Sequence, residues 1–96
     1  MSIGYYQIHK ASKVIRSVNH KLRQQLISLI SEKKEVTVTD LYIALKREQS
    51  ETSQHLSILR KSNVVTTRRE GKFIYYSVNE KRLKQIELLS VELNKQ

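Results

Sequence analysis

Two runs rich in β-branched and aromatic residues, Val64-Val65-Thr66-Thr67-Arg68-Arg69 and Phe73-Ile74-Tyr75-Tyr76-Ser77-Val78, stand on either side of Glu70-Gly71-Lys72. Two such runs around a glycine predict a β-hairpin, with Gly71 supplying the positive φ that a tight turn demands. The rest of the chain has few interruptions. Proline is absent and the second glycine is Gly4, so everything outside the hairpin is expected to be mostly helix.

The apolar spacing agrees. Ile8, Ala11, Ile15 and Val18 form one stripe of a first helix, with Lys10, Lys13 and Arg16 off it. Asn19 is expected to cap a second helix, whose inward side carries Leu22, Leu26, Leu29 and Ile30, widened by Ile27. After the β-branched stretch Val36-Thr37-Val38, Thr39 is expected to cap a third helix bearing Leu41, Ala44 and Leu45. Lys46-Arg47-Glu48-Gln49 is a polar break, and Ser50 is expected to cap a fourth helix with Thr52, Leu56 and Leu59 inward. Asn79 is expected to cap a last helix carrying Leu83, Ile86, Leu89 and Leu93, broadened by Leu88 and Val91.

Four helices, a basic hairpin and a closing helix make a mainly α chain with a β-hairpin wing, a winged helix-turn-helix. It reads as one domain over residues 1–96. The recognition helix lies at about 50–62, the wing at about 64–78, and the terminal helices at about 5–18 and 79–94.

The 18 Lys and Arg residues against 9 Asp and Glu give a net charge of +9, which suits phosphate or anionic lipid. Cysteine is absent, so disulfides, thiolate chemistry and cysteine metal sites are excluded. No apolar run approaches the roughly 20 residues that span a bilayer, and the first residues do not read as a signal peptide. A cytoplasmic protein with no membrane partner is expected. No nucleophile-base-orienter set and no phosphate-binding glycine loop is present, so neither an enzyme nor a cofactor is expected.

At about 100° per residue, inward Thr52, Leu56 and Leu59 leave Ser50, Ser53, Gln54 and Ser57 outward, beside Gln49. A helix amino end with exposed hydroxyls suits a phosphate, and Gln49 and Gln54 can pair with an adenine edge in the major groove. A solvated polar face is the plainer alternative. Glu51 opposes a DNA reading by charge, although a carboxylate there favours the helix dipole.

Arg68, Arg69 and Lys72 cluster at the hairpin tip, where long cations reach duplex phosphates; they also protect an edge strand from aggregation. Between Lys46 and Lys72 there are seven basic residues (46, 47, 60, 61, 68, 69, 72) and three acids (48, 51, 70). Double-stranded DNA is therefore the expected partner. His55 is expected to brace the recognition helix. His9 and His20 lie 11 apart on different helices with no carboxylate at ligand spacing, so no metal site is assigned, and a non-standard site using them, for instance across a dimer, is left open. Tyr5, Tyr6, Tyr42, Tyr75 and Tyr76 read as packing residues.

Gln49-Ser50-Glu51-Thr52-Ser53-Gln54-His55-Leu56-Ser57-Ile58-Leu59-Arg60-Lys61 resembles the recognition helix of the ArsR/SmtB winged-helix repressors, approximately Q-S-x-V-S-x-H-L-x-x-L. Arg68-Arg69-Glu70-Gly71-Lys72-Phe73-Ile74-Tyr75-Tyr76-Ser77-Val78 is similar to their wing, R-R-E-G-R-x-V-Y-Y-S-L, and the likeness spans about residues 8 to 93. The resemblance implies a homodimer that binds an inverted-repeat operator and represses transcription, usually until a signal binds. It puts DNA contacts at Gln49, Ser50, Ser53 and Gln54, and wing contacts at Arg69 and Lys72. Asn63 replaces the family's usual glycine, and Thr52 its usual valine, at the cost of a buried hydroxyl. The third helix carries no thiol and the last no histidine, so neither of the family's usual metal sites is carried over, and the residues imply no particular effector.

Ile8, Ala11, Ile15, Leu83, Ile86, Leu89 and Leu93 exceed what the small core needs and are expected to pair two copies across a two-fold axis. Two recognition helices would then sit about one DNA turn apart, or a multiple of it. Two alternatives keep the fold. One is a nucleoid-type domain that binds nucleic acid by charge alone, and the other is a winged helix that binds a protein.

Overall fold

The computed structural model describes residues 13–94, and their side chains as far as Glu92. Residues 13–18 are helical (α1), followed by α2 (Lys21–Lys33), β1 (Val36–Thr37), α3 (Val38–Leu45), α4 (Gln49–Lys61), β2 (Val65–Glu70), β3 (Phe73–Val78) and α5 (Glu80–Asn94). This is the winged helix-turn-helix order. The expected stripes form the core: Leu22, Leu26 and Ile30 of α2, Leu41 of α3, and Leu56 and Leu59 of α4 are buried. Val64, Val65 and Ile86 close it from the hairpin and α5. Each such aliphatic side chain contributes about 1.5–3 kcal/mol by leaving water.

The hairpin forms as expected, with Glu70 opposite Phe73 and a two-residue turn at Gly71-Lys72. Gly71 has φ +61 and Lys72 does not take a positive φ, which is the first-position glycine pattern of a II′ turn. β1 is an additional strand. Val36 and Thr37 pair with Tyr76 and Tyr75, giving an antiparallel sheet in the order β1-β3-β2.

Three caps differ from expectation. His20, not Asn19, caps α2: its Nδ1 accepts from the Leu22 N–H at 3.2 Å. The Asn19 N–H instead closes α1 against the carbonyls of Ile15 and Arg16. Thr37, not Thr39, caps α3, accepting from the Asp40 N–H at 3.3 Å, because the chain turns into helix directly after its sheet pairing. For α4 the cap position is Glu48, with no side-chain hydrogen bond, so Ser50 lies inside the first turn. Asn79 does cap α5, through Oδ1 to the Arg82 N–H at 3.1 Å. Asn63 takes φ 62 just beyond α4, the left-handed conformation expected of a glycine substitute.

Thr52 is wholly buried, and its Oγ1 has no hydrogen-bond partner among the described residues. Leaving a buried hydroxyl unsatisfied costs about 1–3 kcal/mol. Thr52→Val keeps the branched shape and removes that cost, so it should raise the unfolding free energy by about 1–2 kcal/mol in urea titration; an unchanged or lower midpoint would refute the assignment.

Candidate nucleic-acid interface

α4 is presented by what anchors it from behind. Thr52, Leu56 and Leu59 have no exposed surface, which turns Gln49, Ser50, Ser53, Gln54 and Ser57 outward, all exposed. None of these five side chains hydrogen-bonds to another described residue. The uncapped first turn leaves backbone N–H groups open at the same end.

Glu51 meets Arg47 at 3.3 Å, one turn earlier, in an ion pair that offsets its charge beside this amino end. Both groups are well exposed, so the pair adds little to stability.

The side of α4 is held by Arg23 of α2. Its Nε donates to His55 Nδ1 at 3.0 Å, and its Nη1 donates to the carbonyls of Ser17 (3.1 Å) and Arg16 (3.4 Å) at the end of α1. One guanidinium thus ties α1, α2 and the recognition helix together. His55 braces α4 as expected, with its ring centroid 4.7 Å from that of His20. Arg23 was not legible as a site residue, since 32 positions separate it from His55 and no local pattern joins them.

The three wing cations divide. Arg68 Nε donates to Glu35 at 2.8 Å, its Nη1 donates to Glu70 at 2.8 Å, and the guanidinium lies 4.9 Å from the Tyr75 ring centroid. The hydrogen bonds to Glu35 and Glu70 raise its already high pKa, and the bond from Arg68 lowers that of Glu35. Arg68 is committed to the sheet. Arg69 and Lys72 meet no carboxylate among the described residues; Arg69 donates to the Gly71 carbonyl at 3.3 Å, and the Lys72 ammonium lies 5.6 Å from the Phe73 ring centroid. Arg69 alternates in phase with buried Val65, so it belongs to the sheet face that packs on the core.

The terminal-helix stripe is distributed differently from expectation. Ile86 is 3% exposed within the protomer's own core, and Ile15 and Leu83 pack partly against that core. Leu89 is half-buried, while Leu88 and Val91 are 63% and 50% exposed. Ile8 and Ala11, with His9, Tyr5 and Tyr6, lie outside the described residues, as does the side chain of Leu93. Among the described residues no three His, Asp or Glu side chains cluster to hold a metal ion, and no helix is long and apolar enough to cross a membrane.

A family model described as bacterial regulatory protein, arsR family, matches residues 20–67. An HTH-type transcriptional regulator of Methanocaldococcus jannaschii is 31% identical over 84 residues, covering 88% of this chain and 94% of that one. The chain belongs to the ArsR family. Two further proteins are similar to it. The transcriptional repressor PagR of Bacillus anthracis is 30% identical over 88% of this chain and 84% of its own, and its crystal structure superposes with a TM-score of 0.71 over 90% of this chain and 99% of that one. The crystal structure of a possible transcriptional regulator for arsenical resistance gives a TM-score of 0.77 at 28% identity, covering 84% and 83% of the two chains. This ArsR-family chain is accordingly a DNA-binding transcriptional regulator with a winged helix.

Burial, then the electrostatic influence of neighbouring His20 and Arg23, pushes the His55 pKa below its usual 6.5, against an opposing pull from Glu51. The bond from Arg23 also requires a neutral Nδ1. As pH falls through 6.5 the unfolded chain takes up a proton at this ring while the folded one resists, so stability is lost in that window. The urea midpoint should therefore fall from neutral pH to about pH 5, and fall less in His55→Gln, which keeps an acceptor for Arg23 but cannot titrate. Equal slopes would show that His55 is not a source of the loss.

Proposed function

We propose that this ArsR-family chain is a homodimeric repressor that reads an inverted-repeat DNA operator. The observation that carries the reading is the open amino end of α4, where Gln49, Ser50, Ser53, Gln54 and Ser57 are exposed and make no side-chain hydrogen bond to another described residue. Gln49 and Gln54 offer paired donor and acceptor groups to base edges, while the serine hydroxyls and the first backbone N–H groups hold phosphates. Arg69 and Lys72 add backbone contacts from the wing, and Arg68 supports the sheet that carries them.

Pairing of two copies is supported by the apolar surface that α5 leaves open at Leu88 and Val91, with Leu89 beside them. In this reading Leu88 and Val91 join the interface, and Ile86 backs it from inside. Repression is the role in PagR's name, whereas HlyU of Vibrio cholerae, 32% identical over 83% of this chain, is named an activator. With no cysteine in the sequence, release by cysteine-bound metal is not part of the proposal. The protein acts in the cytoplasm, where its operator lies.

Selection of genomic fragments by the purified protein, with and without zinc, tests this directly. The selected fragments should share an inverted repeat with half-sites about 34–36 Å apart or a multiple of that, unchanged by zinc, and transcription from such a promoter should fall when the protein is added. Fragments with no common sequence would favour binding by charge alone.

Two substitutions separate the roles. Gln54→Ala should lose about 1–3 kcal/mol of discrimination at one position of the half-site and keep affinity for unrelated duplex. Arg69→Ala should weaken binding to all duplexes alike, and more than Arg68→Ala does, in fluorescence anisotropy titrations at fixed salt.

A further inference from the structure

Lys13 and Arg16 of α1, Arg23 of α2 and Lys61 of α4 line one open groove of about 260 Å³, together with Ile58 and the small residues Ser17 and Ser62. The groove shares no residue with the wing. None of the four cations is ion-paired with a described residue. The sequence explains why no carboxylate is at hand. The first acidic residue of the chain is Glu32, so the segment before α1, α1 itself and the first turns of α2 contain none, and none occurs between Glu51 and Glu70. Arg23 spends Nε and Nη1 on His55 and the α1 carbonyls, while its Nη2 has no hydrogen bond to a described residue. Four like charges gathered without a counter-charge among the described residues call for an external anion.

Position on α4 says which anion. Ser50, Gln54, Ser57 and Lys61 are spaced 4, 3 and 4, one exposed stripe of the helix. At 1.5 Å per residue that stripe runs about 16 Å, whereas the major groove is about 12 Å wide. If the amino end meets base edges, the far end at Lys61 lies over the sugar-phosphate strand that borders the groove. Lys61 belongs both to the stripe and to the cationic groove, so the groove begins where base contact ends.

We propose that the groove between α1, α2 and α4 is a second phosphate-binding surface, which grips the duplex backbone through Lys13, Arg16, Lys61 and the Nη2 end of Arg23. This rests on the DNA-binding reading above and adds to it a contact independent of base sequence.

The test is the variant Lys13→Ala/Arg16→Ala/Lys61→Ala, in which all three residues are exposed and Arg23 is untouched. A control, Lys33→Ala/Lys81→Ala/Lys84→Ala, removes the same charge from exposed sites outside the groove. Each lost phosphate contact lowers the slope of log affinity against log salt by about 0.9. The groove variant should lose roughly 2–3 from that slope for each bound protomer, equally on operator and unrelated duplex, with its urea midpoint unchanged. The control should keep the wild-type slope. A groove variant with the wild-type slope, on duplex the wild type binds, overturns the proposal and leaves the functional reading intact. Equal loss in the control also overturns it, since net charge alone would then account for the change. A wild type that binds no duplex fails the functional reading first and takes the groove with it. Inorganic phosphate, compared with chloride at matched ionic strength and without DNA, should leave the thermal midpoint unmoved. A rise in the wild type that the groove variant lacks, with unchanged duplex slopes, would make this a site for a small free anion instead.

Discussion

Burial of one stripe of α4 fixes the rest of the molecule. Thr52, Leu56 and Leu59 sit without exposure against α2, α3 and the root of the hairpin, and a helix that commits one side at this spacing has its opposite side determined. Orientation of the serine and glutamine side chains therefore comes from apolar transfer energy on the far side of the helix, not from any polar contact of their own. The chain leaving α4 is fixed in the same way. Asn63 turns it in the left-handed region, the Val64 N–H donates to the Leu59 carbonyl, and Val64 and Val65 drop into the core. Helix and wing are thus positioned by one contiguous set of buried side chains.

Cations are then sorted by whether the fold gives them a partner. Arg68 is held by Glu35 and Glu70, Arg82 donates to the Ser62 carbonyl at the end of α4, and Arg47 offsets Glu51. These are exposed or part-buried contacts that solvent screening weakens, and their role is more geometric than energetic. Arg69, Lys72, Lys13, Arg16 and Lys61 have no carboxylate partner among the described residues. Arg23 does both, since two of its nitrogens position His55 and α1 while the third has no hydrogen bond to a described residue and the side chain lines the groove.

The helices, the hairpin and the outward face of α4 were legible because each is a local property. Spacing converts directly into a face, and a β-branched run around Gly71 converts into a turn. Cap positions were less so. Residue-type rules nominate Asn19, Thr39 and Ser50 without fixing where the helix begins, and a histidine, an earlier threonine and a glutamate took those places. β1 is two residues long, too short for any period to declare itself. The Glu35–Arg68 and Arg23–His55 contacts join positions 33 and 32 apart, so only the assembled fold could bring them together. In α5 the apolar residues lie on two sides, and spacing alone assigned the Leu83, Ile86, Leu89 and Leu93 stripe to pairing between copies, whereas the protomer's own core took Ile86 and Leu88 and Val91 stayed in solvent.

The places where local stability is given up lie beside the proposed reading surface. The recognition helix starts without a side-chain cap, where Ser, Thr, Asn or Asp in place of Glu48 would contribute about 1 kcal/mol. It carries a buried hydroxyl with no partner one turn later. Its lateral brace depends on a histidine that must remain neutral. A capping side chain would occupy the N–H groups that a phosphate needs, so the missing cap is consistent with use rather than with poor construction. The unsatisfied Thr52 has no such account; nothing in the structure explains why valine, its equal in shape, does not stand there. The two features separate on physical grounds. One withholds stability where a ligand can restore it, and the other is a cost that no external group can reach, because Thr52 has no exposed surface.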